Sequence, residues 1–187
     1  VVGYSYLAEF PVQSSTGYFQ GTSNGSTDLV IIKFNEAGTL LWSTYYGGSS
    51  YEYLFGFDID ENDNIYCGGY TVSGNFPTQD AGTYFVPWSS GEEDAFLLKF
   101  NNQGDRLWGT YIGGSDEEEI RSIAAKDGVV YTVGYTSSPD FPLMVAGSYN
   151  QSTLNGAYDL TIQKFDELGN LLWSTYYGGD GIEQGNA

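Results

Sequence analysis

The sequence predicts an all-β chain of repeated four-stranded antiparallel units, the blades of a β-propeller, and three observations predict it. One phrase returns at a fixed step: LLWSTYYGG at 40–48, RLWGTYIGG at 106–114 and LLWSTYYGG at 171–179 place Trp42, Trp108 and Trp173 about 65 residues apart, the mark of one supersecondary unit copied in series. Other phrases keep that step: Gly3-Tyr4, Gly69-Tyr70 and Gly134-Tyr135; Phe10-Pro11, Phe76-Pro77 and Phe141-Pro142; and Asp28, Asp94 and Asp159 opening DLVIIKF, DAFLLKF and DLTIQKF. Finally, 26 glycines and 17 tyrosines beside a single methionine, with short apolar runs and no helical period, suit many short strands joined by tight turns.

Within one period the elements follow in order. Strand a is expected at 54–60 (LFGFDID), b at 64–72 (NIYCGGYTV), c at 94–100 (DAFLLKF) and d at 106–112 (RLWGTYI). Glu61-Asn62-Asp63, Asn101-Asn102-Gln103-Gly104 and Gly113-Gly114 supply the turn chemistry between and after them. Four antiparallel strands make one propeller blade. Strand c is apolar on both faces, so it must be covered on both sides; a blade packed between two neighbours provides that cover. The recurring Trp of strand d is then a packing residue between blades.

The repeat divides the chain into an incomplete blade at 1–48, blades at 49–114 and 115–179, and the start of another at 180–187. Together, 1–187 is expected to form an open arc of about three blades, with the rest of the ring supplied by the same polypeptide or by neighbouring subunits. Starting at Val1 inside a repeat, the chain reads as a piece of a longer, processed polypeptide.

Composition excludes several functions. With 24 acidic against 6 basic residues the net charge is −18, a field that repels phosphate backbones, so no nucleic-acid partner is expected. There is no histidine, which removes Ser-His-Asp and Cys-His catalysis and His-ligated metal or haem sites. Cys67 is the only cysteine; it reads as a small buried hydrophobe in strand b rather than part of a disulfide framework. No apolar run reaches membrane-spanning length and no signal peptide is present, so no direct membrane insertion is expected.

The string D-x-hydrophobic-K-F-N-x-x-G-x-L-x-W-S-T-Y-x-G-G is carried by 28–48, 94–114 and 159–179. The strand ending G-Y-T with its following Phe-Pro is carried by Tyr70-Thr71 to Phe76-Pro77 and Tyr135-Thr136 to Phe141-Pro142. Together they resemble the SBBP family, the "seven-bladed β-propeller" repeats of bacterial surface and secreted proteins. The resemblance implies an exported, extracellular or cell-surface repeat protein, of the kind exported by type IX secretion, that serves adhesion, envelope assembly or protein binding. The segments at 73–93 and 137–158 are longer than the short form of that repeat. The run G-x-x-L-W, at Gly38 to Trp42, Gly104 to Trp108 and Gly169 to Trp173, is also similar to the tryptophan-docking repeat of quinoprotein dehydrogenases, whose metal and catalytic residues have no counterparts here.

Site candidates lie in the connections. Alternating strand direction gathers the long segments at 6–27, 73–93 and 137–158 and the loops leading into Glu52, Glu118 and Glu183 on one face, where Tyr84, Phe85 and Trp88 add aromatic surface suited to a protein or glycan. The structural alternative is that these aromatics fold back under the loop. Asp58, Asp60, Asn62 and Asn64 have the alternate oxygen spacing of half a calcium loop but lack its glycine and terminal glutamate; an ordinary a–b turn is the competing reading, and Ca2+ is the one cofactor considered. The function expected is non-enzymatic binding at the loop-rich face. The alternative is a carboxylate-based glycan hydrolase or quinoprotein-like oxidoreductase fragment, although no carboxylate pair stands out and no catalytic residue is assigned.

Overall fold

The computed structural model describes residues 1–6, 9–80, 84–147 and 149–185. Among these residues, eleven strands form three antiparallel sheets. Blade I holds β1 (Val2–Ser5), β2 (Asp28–Phe34) and β3 (Leu40–Tyr46). Blade II holds β4 (Glu52–Ile59), β5 (Ile65–Thr71), β6 (Asp94–Phe100) and β7 (Arg106–Ile112). Blade III holds β8 (Glu118–Lys126), β9 (Val129–Thr136), β10 (Asp159–Asp166) and β11 (Leu171–Tyr177). In blades II and III these are strands a to d in sheet order, and blade I shows b to d. Strand a starts two residues earlier than its apolar run suggests, because Glu52 already pairs with Thr71.

The blades fan out from strand a. β8 packs on β4, β5 and β6, and β4 on β1 and β2, while no comparable packing joins β3 to β7 or β7 to β11. The core is therefore two layers between blades. Leu29, Ile31, Trp42, Cys67, Phe96, Leu98 and Phe100 fill the first, and Leu97, Trp108, Ile120, Ile123, Val130 and Phe165 the second. Strand β6, buried at every position, sends Phe96, Leu98 and Phe100 toward blade I and Leu97 toward blade III. Free Cys67 sits in the first layer with no exposure, and burial pushes its thiol up to about 12.

Trp42 and Trp108 are seam residues. Lys33 Nζ and Trp42 Nε1 both donate to the Asn102 carbonyl, at 2.7 and 3.5 Å. One repeat on, Lys99 Nζ and Trp108 Nε1 donate to the Glu167 carbonyl, at 2.8 and 3.2 Å. Each accepting turn carries a glycine in the left-handed region, Gly104 (φ 88) or Gly169 (φ 85). A Cβ there would stand 3.2 Å from Trp42 or 3.3 Å from Trp108, so both conformation and contact call for glycine. An Asn101 or Asp166 side chain accepts two backbone N–H groups of its own turn and fixes its shape.

The long b–c segments run along the outer edge of strand d. Gln13 exchanges both backbone hydrogen bonds with Ser43, and Gln79 with Gly109; Ser174 N–H donates to Met144 O. Further along, the N–H groups of Tyr45, Tyr111 and Tyr176 donate to Gln20, Val86 and Gln151. An uncovered strand d would leave a row of open donors and acceptors, and the segment satisfies them. The Phe-Pro phrase is the clamp. The Tyr111 hydroxyl accepts the Phe76 N–H at 2.9 Å and donates to Ser73 O at 2.6 Å. Tyr176 does the same with Phe141 and Ser138.

Candidate binding surface

Strand a carries a β-bulge in both complete blades, between Leu54 and Gly56 and between Ile120 and Ser122. The bulged residues are Phe55 and Arg121. A bulge re-aims a side chain and brings the bent strand close to its partner, and here it presses carbonyls against strand b. A Cβ on Gly69 would meet Tyr53 O at 1.8 Å, and one on Gly134 would meet Glu119 O at 1.7 Å. That is why glycine precedes tyrosine in each of these copies of the Gly-Tyr phrase. The tyrosines, Tyr4, Tyr70 and Tyr135, then stand beside the bulges on the inner edge of the fan.

The result is a continuous row of rings across all three blades. Tyr6 meets Tyr4 (5.6 Å between centroids), Tyr4 meets Tyr53 (5.3 Å), and Tyr53 stacks on Tyr70 (5.2 Å), which stacks on Phe55 (6.1 Å). The Arg121 guanidinium lies over Phe55 (4.5 Å) and Tyr135 (5.4 Å), and Tyr135 meets Tyr158 (5.5 Å). Carboxylates edge the row. Arg121 pairs with Glu119 at 3.0 Å, the Tyr135 hydroxyl donates to Glu119, and the Tyr158 hydroxyl donates to Glu117 at 2.6 Å. Burial raises the Tyr70 phenol to about 12, and the bond to Glu117 raises that of Tyr158 to about 12, so both remain hydrogen-bond donors at neutral pH. Glu93 is also raised, first by burial and then by Glu117, Glu119 and Glu92. Buried Glu119 Oε1 and Arg121 Nε have no hydrogen-bond partner among the described residues.

The acids singled out by the repeat play a different part. Glu52 accepts Gly48 N–H at 3.2 Å and the Thr71 hydroxyl at 2.7 Å; Glu118 accepts Gly114 N–H at 2.8 Å and the Thr136 hydroxyl. Asp28 and Asp94 lie across a glycine from them. A Cβ on Gly113 would come within 2.1 Å of Asp94 and 2.6 Å of Glu118. All four carboxylates are buried; Glu52 and Glu118 join backbone and hydroxyl groups of two blades and so fasten a seam, while Asp28 and Asp94 fix the b–c segment of their own blade. Glu183 accepts Gly179 N–H at 3.0 Å in the same way.

Burial raises Glu52 and Glu118 to about 7, against an ordinary value of 4.5. The folded chain thus holds protons that the unfolded chain releases. Their contribution to stability is full below about pH 4.5 and is lost as pH rises through about 7. Thermal melts should show stability declining over that window and levelling above it. Glu118→Gln should flatten the decline, and an unchanged slope in that variant would rule out this origin.

The remaining candidates separate. Tyr84 packs into the layer between blades II and III, 5.9 Å from Phe165, and Phe85 is half-buried, as the folded-back alternative has it; Trp88 is 67% exposed. Asp60 accepts the N–H groups of Asn62 and Asn64 at 2.9 Å and the Asn64 amide at 2.8 Å, while Asp58 accepts the Ala125 N–H of the next blade at 2.7 Å. The four residues thus serve an a–b turn and a seam. Among the described residues no group of three His, Cys, Asp or Glu side chains forms a metal site, and no helix is long and apolar enough to cross a membrane.

With strand d, the Gly-Gly connection, the bulged strand a and the Phe-Pro clamp placed, comparison with known families is specific. Residues 41–77 match the SBBP family model, a beta-propeller repeat. This chain carries an SBBP repeat. The matched stretch runs from strand d of blade I through strands a and b of blade II, so it takes in the seam glutamate Glu52, the Phe55 bulge and Tyr70. Two curated proteins are similar to the chain beyond the SBBP match. An uncharacterized WD repeat-containing protein of Acanthamoeba polyphaga mimivirus is 25% identical over 136 residues, covering 70% of this chain and 9% of that protein. The regulatory protein FlaEY of Caulobacter vibrioides is 27% identical over 147 residues, covering 78% of this chain and 15% of that protein. The chain therefore spans a small part of either relative.

Sequence reasoning did not find the row of rings. Tyr4, Tyr53, Tyr70 and Tyr135 sit in strands, and the bulges that turn Phe55 and Arg121 toward one another leave only the glycines as a trace.

Proposed function

We propose that this chain is part of an exported, cell-surface β-propeller without catalytic activity of its own, and that it binds a protein partner along the inner row of rings. The observation that supports this is the unbroken run from Tyr6 to Tyr158 through Arg121, crossing three blades. Tyrosine and arginine are the residues that most often dominate the energy of protein interfaces. Tyr53, Tyr70 and Phe55 stack face to face at the centre of the row, and Arg121 covers the face of Phe55 and of Tyr135. That favours a peptide with donors and acceptors over a sugar ring, which needs a free aromatic face. The net charge of −18 and the carboxylates of Glu93, Glu117 and Glu119 favour a basic segment.

NMR titration with basic, acidic and neutral peptides and with neutral oligosaccharides tests the reading. A basic peptide should shift the amides of Phe55, Tyr70, Glu119 and Arg121, and Tyr70→Ala should weaken that binding by about tenfold or more. Binding of an oligosaccharide in place of any peptide would overturn it.

A further inference from the structure

The seam between blades II and III departs from the repeat where the inner row crosses it. At both internal seams the residue before strand c forms a parallel bridge with the residue before strand a: Thr27 with Tyr51, and Glu93 with Glu117. Two residues beyond the second partner stand Tyr53 at the first seam and Glu119 at the second. Three positions that are uncharged between blades I and II are therefore all glutamates between the two complete blades.

The backbone fixes their placement. The Glu118 N–H donates to Glu93 O at 2.9 Å, which holds Glu93 beside Glu117, and the strand's alternation returns Glu119 to the side of Glu117. Positive charge falls short of these acids. Arg121 meets Glu119 at one contact, Nη2 to Oε2 at 3.0 Å, and the same oxygen accepts the Tyr135 hydroxyl. The other oxygen, Oε1, belongs to a side chain only 4% exposed and has no hydrogen-bond partner among the described residues, a costly state for a carboxylate. Burial, then repulsion from Glu117, Glu119 and Glu92, raises the Glu93 carboxyl, so Glu119 faces the same space as the bridged pair. Among the described residues no three acids form a group that could hold a metal ion, and the deficit fits a larger, organic cation.

We propose that Glu93, Glu117 and Glu119 are the recognition site for a lysine side chain of the protein partner, its ammonium standing between Glu93 and Glu117 and facing Glu119. This rests on the inner row being the binding surface. An ammonium is a compact charge with three donors on a flexible stem, one for each carboxylate. A guanidinium holds its donors in a planar fork matched to a single carboxylate.

NMR titration of the 187-residue chain tests this with four peptides identical except for one residue: lysine, arginine, acetyl-lysine or norleucine. The lysine peptide should bind at least about tenfold more tightly than the other three and shift the amides of Glu93, Glu117 and Glu119. Glu93→Gln and Glu117→Gln, each shown by its own spectrum to be folded, should lower the lysine peptide to the affinity of the norleucine peptide and leave the latter unchanged. Tyr70→Ala should weaken all four. Equal binding of the four peptides, weakened by Tyr70→Ala but not by the glutamine variants, would overturn the lysine site and leave the inner row as the binding surface. An arginine peptide as tight as the lysine peptide would also overturn it, and binding by none of the four would overturn both readings.

Discussion

Trp108→Ala is expected to cost about 3–5 kcal/mol, the range for emptying a buried tryptophan site. Trp108 is 4% exposed, packs in the layer between blades II and III, and ties the two through the Glu167 carbonyl and Gly169. The loss falls on the joint rather than within either sheet. Urea unfolding should therefore change in form as well as midpoint, with blade III melting ahead of the rest and a shallower overall transition. Trp173→Ala provides the comparison, since Trp173 is only half-buried and its loss should cost much less. Equal costs at the two positions would mean that the tryptophans stabilise their own sheets and that the seam is held by something else.

Gly134→Ala is expected to cost a similar amount, about 3–5 kcal/mol, by a different route. A Cβ there would stand 1.7 Å from the Glu119 carbonyl oxygen. That is a backbone clash no rotamer can relieve, and it exceeds ordinary overpacking of about 1–3 kcal/mol. The bulge at Ile120–Ser122 must open, carrying Arg121 away from Phe55 and Tyr135. Stability and binding should fall together. Gly3→Ala makes the same change in the first copy of the phrase, where the nearest atom would be Val30 Cγ2 at 3.8 Å; its cost should stay within about 1 kcal/mol. A Gly134→Ala protein as stable as Gly3→Ala would show that the bulge is not what requires glycine there.

Those contrasts show how far the sequence speaks. The period, the strands and the doubly apolar strand c place the blades, because burial on both faces leaves its mark in every residue of DAFLLKF. The seam tryptophan is equally legible, because its partner is a turn one step along the same repeat. The b–c segments were harder. Their length suggests free binding loops, but the hydrogen-bonding needs of strand d's outer edge are a property of assembled backbone, and only the Phe-Pro clamp and its tyrosine record them. Least legible is the inner row of rings. It joins residues from different repeats at positions such as Phe55 and Arg121 that share a place in the blade and nothing in chemistry, so no comparison between copies reveals it.

The grip of lysine and tryptophan falls on a main-chain carbonyl, contributed by Asn102 at one seam and Glu167 at the other. The side chains there differ and neither joint depends on them. This one contact therefore needs no matched side chain in the accepting turn: a duplicated, deleted or shuffled repeat keeps it as long as the turn keeps its glycine and its neighbour the lysine and tryptophan. Growth or shortening of such an array by recombination costs little in compatibility, and the variable positions of the inner edge are free to diverge from copy to copy.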